Sequence, residues 1–263
     1  MKIDLAFLQL LVRDIARAEL LPRFADVRKD IKHDGSIVTA ADLAMQSRMQ
    51  EVLAKNWPTI DFCGEEMASE EHERLAATAR GALWCLDPLD GTSNYAAGIP
   101  FFSVSLALIE NNRPELAIVY DPVRDEMFSG LRARGAWLNG ETLQCRLHAQ
   151  PPIERCIAVV DFKRLDERLA ARLGSRPPYA SQRNFGSSAL DWCWLARSRF
   201  HVYLHGGQKL WDYAAGALIL EEAGGYSATL DGDPVFASTF EPRSVVAAAD
   251  SELFQQWSTW LKM

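Results

Sequence analysis

The sequence predicts an α+β protein in which an antiparallel-rich first half is followed by an α/β second half. Three observations predict it. Apolar runs between 101 and 143 are separated by tight-turn residues, as in consecutive hairpins. From 156 onward short apolar runs alternate with helical patterns. Two amphipathic helical patterns, at 3–24 and 39–57, precede both.

The elements follow in chain order. "IDLAFLQLLVRDIARAELL" has helical apolar spacing broken by Asp4, Arg13, Asp14 and Arg17. Those charges also rule it out as the apolar core of a secretion signal, so a cytoplasmic protein is expected. A turn at Asp34-Gly35 leads to a helix from Thr39 to Trp57. Thr39 is placed to be its N-cap and Asp42 the reciprocal acid at N3. "TIDFCGEE" and "GALWCLD" read as strands ending on Gly64-Glu65-Glu66 and on Asp87. "FFSVSLALIENNRPELAIVYDP" is two strands around Asn111-Asn112-Arg113-Pro114, and Asn139-Gly140 is a second tight turn. The polar, Pro-rich 145–155 segment is the expected boundary, giving halves 1–150 and 151–263 of one unit. Beyond it, "CIAVVDF" reads as a strand, 165–173 as a helix, "GSSALDWCWLARS" as a helix and "RFHVYLHG" as a strand. "LWDYAAGALILEEAGG" is a helix closed by Gly224-Gly225, "SVVAAAD" a strand and 250–262 the last helix.

Composition narrows the function classes. A chain of 263 residues, 48% hydrophobic, can bury a large core without staples. A net charge of −7 argues against wrapping a phosphate backbone. Arg132, Arg134 and Arg146 read first as a solvated face, with a basic strip as the alternative. Five cysteines without a C-x-x-C pair read as small buried residues in a reducing compartment. No apolar run is long enough to span a membrane.

Five acids stand at strand ends or helix starts: Glu65, Glu66, Asp87, Asp90 and Asp212. If the ends face one cleft, the acids meet. Two carboxylates about 4 Å apart repel by about 1 kcal/mol in water and about 4 kcal/mol at an effective dielectric near 20. Such a cluster needs protons or cations. With neither His nor Cys among the candidates, the donor set suits a hard ion, Mg²⁺. The stretch "WCLDPLDGTSNY" adds to this. Pro88 forces a bend that lets Asp87 and Asp90 point the same way, with the Leu89 carbonyl between them. Gly91 permits close backbone approach, and Thr92-Ser93 open a helical turn whose N–H groups suit a phosphate. Read singly, each piece has an ordinary alternative: a turn for Asp87–Gly91, a solvated corner for Glu65-Glu66, an N-cap for Asp212.

Together, "GEE" at 64–66, "DPLDGTSNY" at 87–95 and "WDYAAGALILEEAGG" at 211–225 resemble the inositol monophosphatase family over nearly the whole chain. The resemblance implies a layered α-β-α-β-α sandwich and a Mg²⁺-dependent, lithium-sensitive phosphomonoesterase using two or three ions. It implies that Glu65, Asp87 and the Leu89 carbonyl hold one ion, and that Asp87, Asp90 and Asp212 hold a second. Glu66 and Lys32 would stand near the metals. Gly91 and Thr92 would receive the phosphate. Thr92, oriented by Asp42, would take a proton from the attacking water beside Glu65. A homodimer is also implied.

The substrate is less determined. Inositol-specific relatives typically place a glutamate seven residues before the motif aspartate, and here that position is His205. Ser187 and Ser188, in "RNFGSSALDW", are candidate hydroxyls for a polyol or else a helix N-cap. Inositol 1-phosphate or a related polyol or sugar phosphate is the first reading. 3′-Phosphoadenosine 5′-phosphate, histidinol phosphate and fructose 1,6-bisphosphate are the others. A reading of another class also stands, because some bacterial relatives act as accessory transcription factors that bind protein and RNA. Cys63 and Cys85, each two residues before a candidate ligand, read as core residues or as sites of inactivating oxidation.

Overall fold

A computed structural model of the protein describes residues 3–24, 29–31, 37–78, 81–145, 151–237 and 239–263. Lys32, the Asp34-Gly35 turn and Arg146 lie outside the described residues.

Helix α1 (Leu5–Glu19) is capped by the Asp4 carboxylate, which accepts from the Ala6 and Phe7 N–H groups. The helix is shorter than the 3–24 pattern, because Pro22 lies in a separate 3₁₀ turn, Leu21–Arg23. Strands β1 (Lys29–Ile31) and β2 (Ile37–Thr39) form a short antiparallel ribbon. Helix α2 (Ala40–Asn56) starts on the expected Thr39/Asp42 capping box. Then come β3 (Asp61–Gly64), α3 (Ser69–Thr78), β4 (Leu83–Asp90), the short α4 (Thr92–Ala96), β5 (Ser103–Glu110), β6 (Arg113–Asp121), β7 (Glu126–Leu131), β8 (Gly135–Leu138) and β9 (Glu141–Leu143). The seven strands β3 to β9 form one sheet in sequence order. Its first pair is parallel and the others antiparallel. Helix α3 has no counterpart in the sequence reading, since its run of acids hides any apolar stripe.

Two turns show why this sheet runs as hairpins. Asn111 and Asn112 both adopt positive φ, 50° and 59°, so β6 starts at Arg113 and the turn is two residues long. Asn139 and Gly140, at 51° and 85°, make the second. Asn tolerates the left-handed region because its side chain compensates locally.

The rest of the chain supplies β10 (Ile157–Asp161), α5 (Glu167–Ser175), β11 (Ser181–Arg183), α6 (Ser188–Ala196), β12 (Val202–Gln208), α7 (Leu210–Glu222), β13 (Tyr226–Ala228), β14 (Arg243–Ala248) and α8 (Ser251–Lys262). Its five-stranded sheet has the order β11-β10-β12-β14-β13. Strands β11, β10 and β12 are parallel, while β14 runs antiparallel to both neighbours. Helix α7 ends as expected: Gly224 takes φ 88°, and the Gly225 N–H donates back to the Leu220 carbonyl.

Strand alternation builds three cores and therefore five layers. Trp84, Leu86, Val104, Leu106, Leu108, Leu116 and Ile118 face α1 and α2. Their neighbours Cys85, Ala107, Ala117 and Val119 face the opposite way, onto α6 and α7. On the second sheet Val159, Tyr203, Val245 and Ala247 face that same helical pair, whereas Val160, Leu204, Val246 and Ala248 face α5 and α8. The fold is an α+β sandwich of layers α-β-α-β-α. Helix α7 lies between two sheets, so nearly all its residues are apolar and buried. Among the described residues no helix is long and apolar enough to cross a membrane. The suggested basic strip does not form around Arg132. That side chain lies against Glu115 and Glu221 and donates to the Pro114 carbonyl.

The central layer depends on one close approach. Gly216 of α7 lies against Trp192 of α6, and a Cβ on Gly216 would overlap the Trp192 side chain. Trp192 is fully buried and donates to Gln208 Oε1 at 3.0 Å, which limits its retreat. Gly216→Ala is expected to destabilise the protein by about 1–3 kcal/mol, the usual cost of overpacking. Urea unfolding measures it, and an unchanged midpoint would show that the two helices are free to separate.

Candidate metal centre and substrate cleft

Three acids meet where the seven-stranded sheet touches α7. One carboxylate oxygen from each of Asp87, Asp90 and Asp212 lies within 4.8 Å of the others. Two come from β4. The strand does not stop at Asp87, as the sequence suggested, but continues to Asp90 across a bulge between Asp87/Ser105 and Asp90/Ser103. Pro88 sits in that bulge, where a missing N–H breaks no ladder bond. The Asp87 Oδ1 accepts from the Leu89 N–H at 3.0 Å, which fixes the first carboxylate. Asp212 is the third residue of α7 rather than its N-cap, and its Oδ2 accepts from the Lys209 N–H at 2.8 Å. Ser105 Oγ on β5 donates to the Trp211 carbonyl at 3.1 Å and so ties the start of α7 to the sheet.

Asp90 has the most partners. Its Oδ2 accepts from Ser187 Oγ at 2.5 Å and from the Ala189 N–H at 2.7 Å, and its Oδ1 from the Ser188 N–H at 3.1 Å. Asp90 is therefore the cap of α6, supplied from 98 residues away. Ser187 occupies the N-cap position, yet its own side chain does not cap. It is fully buried with its hydroxyl on Asp90, while Ser188 is half-buried.

Glu65 follows β3 at the edge of the cluster. Its N–H donates to the Leu86 carbonyl at 3.0 Å, and its charge acts on Asp42, Asp87, Asp90 and Asp212. The Glu66 N–H donates to Gln46 Oε1 at 2.9 Å. At the corner after β4, Gly91 takes φ 93°, and a Cβ there would crowd the Phe101 and Gly186 carbonyls at 3.1 and 3.2 Å. The Thr92 hydroxyl stands 3.0 Å from Asp42 Oδ1 and 2.9 Å from the Leu89 carbonyl. The other Asp42 oxygen accepts from Thr39 N–H and Oγ at 2.8 and 2.5 Å.

Burial, then like charge, governs the protonation of these acids. Burial pushes Asp212 up to about 8, and Asp90 and Glu65 push it further the same way. Burial likewise lifts Asp90 to about 6, although Ser187, Ala189 and Ser188 pull it down. Burial, with Glu65, Asp90 and Asp212, drives Asp87 well above its usual range. An all-oxygen set of buried, mutually repelling carboxylates fits a hard divalent cation such as Mg²⁺, which would replace the protons. Among the described residues this is the one group of three or more His, Cys, Asp or Glu side chains placed to share an ion.

A second set of polar residues lies on the five-stranded sheet. His205 on β12 is paired in register with Asp161 on β10, and its Nε2 lies 3.5 Å from Asp161 Oδ2. Its Nδ1 accepts from the Gly207 N–H at 3.1 Å. Burial holds the ring down at about 4 despite Asp161. Sequence reasoning missed Asp161, Asp191 and His72. Asp191 lies on α6 with one oxygen lacking a hydrogen bond, and burial drives it far upward. His72 Nε2–H donates to the Gly64 carbonyl, 2.8 Å away, and the ring stacks on Phe240. Only Asp191 lies inside a segment the sequence had singled out. Cys63 and Cys85 face each other across β3 and β4, both buried.

With this geometry in place, comparison with known proteins is direct. The model of the inositol monophosphatase family matches residues 5–259. The chain belongs to the inositol monophosphatase family. Within it, the chain is similar to the Nus factor SuhB of Haemophilus influenzae, 36% identical over 199 residues, covering 74% of this chain and 72% of that one. It is similar to inositol monophosphatase 1 of Solanum lycopersicum, 33% identical over 211 residues, or 75% of this chain and 74% of that one. Among solved structures it resembles the Thermotoga maritima IMPase TM1415, with a TM-score of 0.81 and 26% identity over 98% of this chain and 97% of that one.

The raised carboxylates give a pH dependence. Each favours the fold while protonated, fully so below the ordinary carboxylate value of 3.8, and the benefit is lost as pH rises through about 6 for Asp90 and about 8 for Asp212. In chelator, the melting temperature should therefore fall between about pH 5 and about pH 9 through these groups. Mg²⁺ should restore more stability at the higher pH; at 100 times its dissociation constant it adds about 2.7 kcal/mol. Melting curves in EDTA and in Mg²⁺ at both pH values measure this, and a pH-independent Mg²⁺ effect would contradict it.

Proposed function

We propose that the protein hydrolyses a small phosphate monoester with the aid of Mg²⁺. The observation that carries the proposal is the convergence of Asp87, Asp90 and Asp212 beside a threonine hydroxyl polarised by a buried aspartate. Family membership supports the same reading.

Glu65, Asp87, the Leu89 carbonyl, Asp90 and Asp212 would hold the ions. The bound ions would neutralise charge on the phosphoryl oxygens and acidify the attacking water. The protein's own groups do the positioning. Thr39 fixes one oxygen of Asp42, which leaves the other directed at Thr92. The Thr92 hydroxyl lies within reach of Asp42 and the Leu89 carbonyl, so Oγ1 would accept the water's proton as its own passes to the Asp42 carboxylate. The N–H groups of Gly91 and Thr92 would receive the phosphate. No covalent phosphoenzyme is needed.

For the substrate, inositol 1-phosphate or a related polyol or sugar phosphate is the first reading. His205 stands where inositol-specific relatives carry a glutamate, so the alcohol end of the cleft differs from theirs. The second reading, an accessory binding factor, is kept because the Haemophilus relative is named a Nus factor. A binding role should survive loss of the acids, whereas hydrolysis should not.

Asp212→Asn is the informative variant, since its amide oxygen can still accept from Lys209. Asp90→Asn is less clean, because it also removes part of the α6 cap. Asp212→Asn is expected to lower turnover about 100-fold or more, the scale of losing one transition-state charge contact. Phosphate release from inositol 1-phosphate, with and without Mg²⁺, measures it. Near-normal turnover of the variant would refute the proposal.

A further inference from the structure

A short loop after β10 places two cations beside His205 and the glycine pair that precedes α7. It runs from Asp161 through Phe162, Lys163 and Arg164 to Leu165, turning on the Leu165 N–H bond to the Phe162 carbonyl. The Lys163 N–H donates to Asp161 Oδ1 at 2.7 Å. The loop then lies directly on the glycine pair of the β12 bulge. A Cβ on Gly206 would overlap the Arg164 carbonyl, and one on Gly207 would stand 3.3 Å from Arg164 Cδ. Two consecutive glycines thus make room for this backbone beside His205. Arg164 Nη1 donates to the Gly207 carbonyl at 2.8 Å, which fixes the guanidinium between His205 and the start of α7.

Electrostatics agrees with that placement. After burial and Asp161, the charges of Arg164 and Lys163 both act on His205, and Arg164 also lowers Asp212. Arg164 is thus anchored at Gly207, two residues before Lys209, whose N–H holds Asp212. Neither cation has an ion-pair partner among the described residues. With Nη1 on a carbonyl, Arg164 keeps four further N–H donors in a planar fork. The neighbouring Asp161 carboxylate is already engaged by Lys163 N–H and by His205. Two exposed cations without ion-pair partners among the described residues, on the loop packed before α7 in a chain of net charge −7, are placed to meet an anion rather than to balance the fold.

We propose that Arg164 and Lys163 form an oxyanion subsite for the alcohol portion of the substrate, so that the preferred ester carries a second phosphate or a carboxylate besides the phosphate that is cleaved. The proposal rests on the phosphomonoesterase reading and specifies its substrate class. It also gives the replacement at His205 a reason: a glutamate there would repel such a group.

Calorimetry with Ca²⁺ in place of Mg²⁺, to slow turnover, tests it with three probes. Glycerol 3-phosphate has no second charge, 3-phosphoglycerate adds a carboxylate, and fructose 1,6-bisphosphate adds a phosphate. One of the two doubly charged probes should bind wild-type protein about tenfold or more tightly than glycerol 3-phosphate, as a charge-assisted contact implies. Whichever does identifies the second group. In Lys163→Gln/Arg164→Gln that ratio should fall to within about twofold. The exposed Lys163→Gln alone, which leaves the Arg164 anchor in place, should lower the ratio partway. Equal binding of all three probes by wild-type protein, or a ratio that survives both variants, overturns the subsite. Phosphate release from the same probes in Mg²⁺ tests the underlying reading separately. A binding preference without any hydrolysis would sink the phosphatase and keep the subsite, and hydrolysis without a preference would do the reverse.

Discussion

Buried carboxylates repel each other, and the site depends on what holds them together. At about 4 Å and an effective dielectric near 20, each pair costs about 4 kcal/mol. The fold answers with backbone N–H groups from helix starts. Asp42 accepts from the Thr39 N–H at the start of α2, Asp212 from the Lys209 N–H at the start of α7, and Asp90 from two N–H groups at the start of α6. A helix N-terminus carries partial positive charge and donors that no turn of helix can satisfy. Three helices from two layers therefore aim their positive ends at one cleft. The remaining repulsion shows in the raised Asp87, Asp90 and Asp212. Protons relieve it in part, and a divalent cation would relieve it more.

This arrangement couples stability to function. Asp90 is both a member of the acid cluster and the cap of α6, so the helix that covers the cleft is anchored to the chemistry. Asp42 is both the reciprocal acid of the α2 capping box and the partner of Thr92. Neither can be optimised for one task alone. Asparagine would be a sound N-cap in an isolated helix, yet at Asp90 it would turn an amide donor toward the Ser187 hydroxyl or the α6 N–H groups. The choice of acid over amide at these caps follows from the second task.

What the sequence made legible was local. The Thr39/Asp42 box, the Asn139-Gly140 turn and the Gly224-Gly225 helix end are patterns within a few residues, and each forms as expected. The three-motif resemblance led to the family and to the five layers. Long-range partnerships were not legible. Nothing near Asp90 shows that it will cap a helix beginning at Ser188, because that bond depends on how two sheets stack. The continuation of β4 past Pro88 was hidden because proline usually ends a strand, and only the bulge makes it tolerable. Helix α3 was hidden by its own charge. Strands β11 and β13, three residues each, carry too few alternations to register against loops.

The two sheets divide the labour of the cleft. Asp87 and Asp90 come from β4 of the seven-stranded sheet and Glu65 from the turn after β3, and the Asp161/His205 pair comes from β10 and β12 of the five-stranded one. Between the sheets lie the central helices: α6 meets Asp90 through Ser187 and Ser188, and α7 supplies Asp212. A change in the second sheet can thus reshape the Asp161/His205 side while leaving the acids in place. His205 lies there, on a strand whose register with β10 is set by the apolar pairs Ala158/Val202 and Val160/Leu204. Because those buried pairs fix the register, the residue opposite Asp161 can vary without moving the strand. The bulge that follows, with its two glycines, is where the backbone has room for a new loop. The wall beside Asp161 is therefore free to vary around an acid cluster that helix caps hold still.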